Sequence, residues 1–332
     1  MKKTFLLITI MAFNYSCGQG IKKHQDKVYS TLMNFRYCLF SIKEETSTEC
    51  YLPYNKTSYS EKSKYRLLKL LNNEWDTTEL NNIAKHIFFE NIDSKLMSIE
   101  KIISDTMGIK KESRRYLQFT KLKDSLLQIK KGVFDDNPVI ISRINKNKEN
   151  IKKYPVENKI IYLSAIVEDE IFISALKNLT VKKANNHDAV ELALARLGEN
   201  KYRESALQKL EEEITSSVKL KYRELRYLQY YKIMPKALFI CNQESIKIYA
   251  KLLNVDTLPP INDEEYVFYP ISYYALNDLV KIIMNEDFRT KFAKLDINDI
   301  NFKDINWAKE WIEKNHEKMI LDESFIPNMD KL

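Results

Sequence analysis

The residues best suited to chemistry are scarce or badly placed for it in this 332-residue chain. Four histidines occur, His24, His86, His187 and His316. No two stand at metal-ligand spacing, and neither an HExxH nor a CxxC pattern is present, so zinc hydrolysis has no ligand set. His86, in Ala84-Lys-His-Ile-Phe-Phe89, reads as a partly buried helix residue, and His187 as a turn residue ahead of a helix starting at Asp188. Carboxylates are plentiful but fall in runs, Glu44-Glu45, Asp135-Asp136, Glu211-Glu-Glu213 and Asp263-Glu-Glu265, which read as solvated faces. A general acid and base need two carboxyls converging in a cleft with separated pKa values, a convergence that linear spacing does not display. The stretch Asp296 to Asp304 lacks the glycine and terminal glutamate of a calcium loop and reads as a polar linker. The expectation is a chain with no catalytic residue, no metal and no cofactor.

Tyrosine is different. Of 20 tyrosines, Tyr222, Tyr227, Tyr230 and Tyr231 lie close together, and Tyr266, Tyr269, Tyr273 and Tyr274 surround a second helix start. On a concave helical face such rings offer the stiff, amphipathic contact area that interfaces favour. Tyr222, Tyr227, Tyr230, Tyr231, Tyr273 and Tyr274 are therefore the candidate partner-binding residues. The competing reading is inter-helix packing with hydroxyls reaching the surface.

The elements that must position these rings are helices. Five glycines occur in the whole chain, against a usual share of about 7%. Two of them, Gly18 and Gly20, are near the N-terminus. The isolated Gly108, Gly132 and Gly198 cannot build a phosphate-cradling loop, and hairpin turns that need positive φ lack their usual residue. Asp76-Thr-Thr-Glu79 has capping-box spacing and predicts a helix to about Glu90, with others over Asp93 to Met107 and Lys111 to Lys131. Asn137-Pro138 places a cap before a proline at the first helical position, and Pro235 and Pro270 read the same way. From Glu157 the pattern shortens into consecutive helices: 157–166, 168–179, 188–197, 202–214, 217–230, 235–241, 244–253, 270–284 and 305–318. Successive short helices with tight turns suggest stacked pairs that bury their apolar faces only against neighbours. Cys241, in Ala237-Leu-Phe-Ile-Cys241, reads as a small core residue.

The stretch His187-Asp-Ala-Val-Glu-Leu-Ala-Leu-Ala-Arg-Leu-Gly198, followed by Tyr202-Arg-Glu-Ser-Ala-Leu-Gln-Lys-Leu210, resembles a HEAT repeat. Ala193, Leu194 and Leu197 would face the core, Ala189 and Ala195 would permit close helix approach, and Gly198 would supply a left-handed cap. Leu225 to Tyr231 with Pro235 to Ile240 resembles a degenerate second unit, Ser272 to Leu279 a third, and Asn306 to Asn315 the closing helix of some bacterial HEAT-like proteins. The resemblance implies an all-α chain with a right-handed α-α superhelix of stacked hairpins over 151–320. A helical N-terminal region over 28–150 matches no repeat, and 321–332 is a tail.

Residues 1 to 16 resemble a bacterial lipoprotein signal peptide. Lys2 and Lys3 precede an uncharged run from Phe5 to Phe13, and Ser16 precedes Cys17. The resemblance implies cleavage before Cys17, lipid on its thiol and a tether over 17–27. Asn14 and Tyr15 depart from the usual pattern. The apolar run is far short of the about 20 residues that span a bilayer. In an oxidising envelope Cys38 and Cys50 could pair across a short loop, with two unpaired buried thiols as the alternative. The surplus of 53 basic over 46 acidic residues is interspersed, as in Lys121-Leu-Lys-Asp124, so no single-sign groove is predicted and no nucleic-acid partner is expected. These observations lead to an envelope protein, lipid-anchored to a membrane through Cys17, that binds a protein or peptide partner without catalysis. An envelope enzyme acting on glycan or lipid is the first alternative, and a cytosolic nucleic-acid-binding protein the second.

Overall fold

The computed structural model describes residues 27–36, 39–40, 59–105, 114–130, 137–181, 186–255, 269–293 and 295–322. These are nearly all helical, and among them the β pairing is a single isolated antiparallel bridge between Ile283 and Leu321. The fold is all-α. No helix among the described residues is long and apolar enough to cross a membrane. Cys17, Cys38 and Cys50 lie outside the described residues, as do Glu44-Glu45, Asp135-Asp136 and Asp263-Glu-Glu265.

The described residues fall into two compact units, one reaching Val156 and the other starting at Glu157. The first contains α1 (27–36), α2 (Glu61–Leu71), α3 (Thr77–Asp105), α4 (Arg114–Lys130) and α5 (Pro138–Lys152), with α3 packed on both α4 and α5. Helix α3 runs unbroken where the sequence predicts two helices. Phe88, Ile92, Leu96 and Ile99 are all buried, so one apolar stripe at helical spacing crosses the expected break, and Asn91-Ile-Asp93 holds no proline or glycine to interrupt it. Asn137 caps α5 as expected, its side chain accepting the Val139 amide at 2.9 Å.

The predicted capping box at Asp76 is half made. Asp76 Oδ1 accepts the amides of Thr78 (2.8 Å) and Glu79 (3.1 Å), and these bonds hold its carboxyl below the usual range. Glu79 does not reach back. It is buried between two arginines instead, taking Arg66 on both oxygens and Arg36 Nη1 at 3.3 Å. Charge wins over the cap here because two buried guanidiniums without a carboxylate would cost several kcal/mol. Arg36 also lies over the Trp75 ring at 3.7 Å and donates to the Glu74 carbonyl at 2.6 Å.

The second unit contains α6 (Asn158–Val167), α7 (Ile171–Val181), α8 (His187–Arg196), α9 (Asn200–Ser217), α10 (Tyr222–Leu228), a π turn (Gln229–Ile233), α11 (Met234–Ile240), α12 (Gln243–Ala250), α13 (Ile271–Ile282), α14 (Glu286–Lys291) and α15 (Phe302–Asn315). Helix α8 is a central strut of this unit: Ala189, Val190, Ala193, Leu194 and Ala195 are buried, and α6, α7, α9 and α11 pack around it. Gly198 closes α8 at φ +83°, and the Glu199 amide reaches back to the Leu194 carbonyl at 3.1 Å, the left-handed cap that the sequence predicts. Helix α12 packs on α9, α11, α13 and α15, over a core that includes Tyr249, Leu276, Phe288 and Ile305.

Two local expectations change. The break between Leu225–Tyr231 and Pro235–Ile240 is not made: Leu228 and Met234 both keep right-handed helical backbone on either side of the π turn. A wider turn leaves room before Pro235, whose ring would collide with the carbonyl four residues back in a regular helix. Cys241 is half-buried rather than central; it ends α11 in the left-handed region (φ 48°), with Sγ 3.8 Å from the Asp322 carbonyl.

Candidate functional site

The π turn builds the candidate site. Leu225, Gln229 and Ile233 form an inward stripe, each fully buried, so the turn sends one amide side chain into the core and pushes its neighbours outward. Tyr227, Tyr230 and Tyr231 are 58%, 36% and 43% exposed. Their rings pack on one another, Tyr227 on Tyr231 at 4.8 Å and Tyr230 edge-on to Tyr231 at 5.0 Å. The start of α13 meets this surface from the other side. The Tyr222 hydroxyl donates to the Tyr269 carbonyl at 2.7 Å, and the Tyr269 ring stacks on Tyr273 at 6.4 Å and meets Tyr274 edge-on at 6.0 Å.

Arg226 joins the two tyrosine groups. Its guanidinium lies 3.4 Å over the Tyr274 ring and 5.1 Å from the Tyr230 ring. Beneath it runs a buried polar chain. Arg226 Nη1 donates to Gln229 Oε1 at 3.2 Å, Gln229 Nε2 donates to the Tyr249 hydroxyl at 3.4 Å, and that hydroxyl donates to Asp278 Oδ2 at 2.9 Å. Lys281 closes the chain 3.6 Å from the other Asp278 oxygen. Burial raises the Asp278 carboxyl above its ordinary value, and burial, with the Asp278 charge second, pushes Tyr249 well up. Burial holds Tyr222 up to about 12, with Tyr274 the next cause. The six candidate tyrosines thus divide: Tyr227, Tyr230 and Tyr231 offer surface, while Tyr222, Tyr273 and Tyr274 are buried or half-buried supports.

Sequence reasoning missed Arg226, Gln229, Tyr249 and Asp278. Two signals were available. Arg226 and Tyr230 are four apart on one face, and Gln229 occupies a position of the apolar stripe that Leu225 and Ile233 define, where a polar side chain needs a buried partner.

A second constellation lines a cavity of about 220 Å³ between α8, α9 and α11, bounded by Asp188, Glu191, Lys209, Glu213 and Lys236. His187, Asp188 and Glu191 could bring their ligand atoms within 4.8 Å of one another. The position a cation would take already holds one: Lys209 pairs with Glu191 and lies 3.5 Å from Asp188, and the Glu191 hydrogen bond raises its amino pKa. Lys236 similarly holds Glu213, so this member of the Glu211-Glu-Glu213 run is not the solvated residue the sequence predicts. His86 pairs with Glu90 at 3.1 Å on α3, and His187 opens α8 well exposed. Compared with protein-family models, with curated proteins and with solved structures, the chain matches none.

Proposed function

We propose that this chain is an envelope protein, tethered to a membrane by lipid on Cys17, whose C-terminal helical unit is a HEAT-like superhelix that binds a protein or peptide partner without catalysis. The observation that carries the binding reading is the exposed, mutually packed group Tyr227, Tyr230 and Tyr231. A soluble fold seldom leaves three large rings together on one turn unless a partner covers them, and tyrosine gives large contact area at low entropic cost. The tether rests on the Lys2-Lys3, Phe5–Phe13 and Ser16-Cys17 pattern. The repeat rests on the α8–α9 hairpin with its Gly198 cap and on the packing of successive helices against near neighbours.

The catalytic alternative draws on the cavity at Glu191. Glu191 and Glu213 are already engaged there by Lys209 and Lys236, which favours the binding reading. The deciding experiment is in-cell crosslinking from a photoreactive residue at Tyr231, in wild type and in a Tyr227→Ser variant, beside palmitate labelling of wild type and Cys17→Ala. A discrete crosslinked partner that Tyr227→Ser abolishes, and label that Cys17→Ala removes, are the expected results. A chain that crosslinks to nothing discrete would sink the binding reading, and label persisting on Cys17→Ala would sink the tether.

A further inference from the structure

The tyrosine surface carries a specific charge at its centre. Arg226 offers five N–H donors, of which Nη1 is committed to Gln229. It forms no ion pair among the described residues and keeps part of its surface open. Its plane is fixed on one side by Tyr274 and flanked by Tyr230, and the buried chain through Gln229, Tyr249 and Asp278 holds its near edge. A guanidinium ordered in this way has already lost the rotamer freedom that binding would otherwise remove, and its remaining fork matches a carboxylate.

The adjoining stretch of chain has the same sign: between residues 219 and 232 the exposed charges are Lys219, Lys221, Arg223 and Lys232 against Glu224, with the largely buried Asp278 carboxylate of α13 as the opposing charge beneath Arg226. A basic, tyrosine-bearing surface could also take a single-stranded nucleic acid, but base stacking needs open ring faces. Here the Tyr274 face is occupied by Arg226, and Tyr227, Tyr230 and Tyr231 turn faces and edges toward one another. Carboxylates need only the donor fork and the hydroxyl-bearing rims.

We propose that Arg226 anchors a carboxylate of an acidic peptide segment, with Tyr227, Tyr230 and Tyr231 covering the flanking residues of that segment. This rests on the reading of the tyrosine surface as a partner site and adds the partner's chemistry and the residue that recognises it. Gln229 is a positioning residue, acting on the ligand only through Arg226.

The test uses the full chain in detergent and fluorescein-labelled octaglutamate and octaglutamine peptides, followed by anisotropy. Octaglutamate is expected to saturate and octaglutamine not. Arg226→Gln should weaken octaglutamate binding by about tenfold or more, because it deletes the charge-assisted fork. Arg226→Lys, which keeps the charge and loses the fork, should lie between, and Gln229→Leu should weaken binding without changing the charge. Unchanged far-ultraviolet dichroism and thermal midpoint in Arg226→Lys separate recognition from folding. Equal binding of the two peptides by wild type, or undiminished octaglutamate binding by Arg226→Gln, overturns the proposal. So does Arg226-dependent binding of oligothymidine or of phosphatidylglycerol vesicles in place of the peptide. A partner whose crosslink at Tyr231 survives Arg226→Gln but not Tyr227→Ser would leave the partner site standing and remove Arg226 as its anchor.

Discussion

The Tyr249 hydroxyl donates to Asp278 Oδ2 at 2.9 Å, and the bond joins the last turn of α12 to α13 beneath the exposed tyrosines. Tyr249 is fully buried, so its hydroxyl has no water to turn to, and Asp278 is a carboxylate whose burial already disfavours its charge. The bond is therefore both a structural tie between helices and the lower end of the chain that orders Arg226.

Tyr249→Phe keeps the ring and removes the donor, leaving Gln229 and Asp278 short of a partner. An expected loss of about 1–3 kcal/mol follows from the penalty for unsatisfied buried groups, read by urea unfolding. Asp278→Asn has a different outcome. The unfolded carboxyl ionises near 3.8 and the folded one at higher pH, so as pH rises past the unfolded value the unfolded chain releases its proton first and native stability falls until the folded group ionises as well. The asparagine variant lacks that decline and keeps an acceptor for Tyr249. Its stability relative to wild type should rise as pH is taken from about 4 to 7. A pH-independent difference would show that Asp278 is not the group responsible.

In the first unit, Glu79→Gln should destabilise more than Arg36→Met. The glutamine change leaves Arg36 and Arg66 buried without a counter-charge, a loss of about 3–5 kcal/mol on the scale for broken buried pairs. Arg36→Met removes one of two like charges and a guanidinium whose Nη2 is buried without a hydrogen-bond partner. Desolvation pulls the Arg36 pKa down to about 10, with Glu79 opposing. The two unfolding midpoints, compared at one pH, decide the order; equal losses would mean that Arg36 and Glu79 act as one indivisible pair.

What was legible in the sequence follows how local each interaction is. The Asp76, Asn137 and Gly198 caps could be read because each acts within a turn of its own position. The second half of the Asp76 capping box could not, because Glu79 answers to Arg36 and Arg66, which the fold brings from other helices. Likewise the two tyrosine groups were visible as groups, but Arg226 on Tyr274 is a contact between helices far apart in the chain. The π turn was illegible for a different reason: Gln229 to Ile233 has ordinary helical composition, and Pro235 pointed to a helix start when the widened turn instead carries the helix through it.

Gly198→Ala tests the glycine that, among the described residues, sits at positive φ. Its φ is +83°, and an added Cβ would meet nothing within 4 Å. The expected loss is therefore backbone strain alone, about 1–2 kcal/mol for an L-residue held in the left-handed region, without the larger penalty of a steric clash. Asparagine, which tolerates this region better, should lose less than alanine. A loss well above this range would mean that the α8–α9 corner moves when the side chain is added.

Alkaline unfolding of the second unit gives the last test. Burial holds Tyr162 and Tyr222 up to about 12 and raises Tyr249 well above its ordinary 10.0. Between pH 10 and 12 the unfolded chain has released these phenolic protons and the native chain retains them, so the native state binds more protons and stability falls with rising pH. The contribution is fully present below about pH 10 and disappears as the native groups ionise. Lys209, also raised, acts in the same direction. Phenolate absorbance near 295 nm and helical dichroism should therefore show a coupled step in which these tyrosines ionise as helix is lost. Tyr162→Phe should make that step shallower by one proton, since the ring still packs edge-on against Phe239 at 5.1 Å but no longer carries a proton to lose. Complete phenolate formation before any loss of helix would contradict the burial of all three hydroxyls.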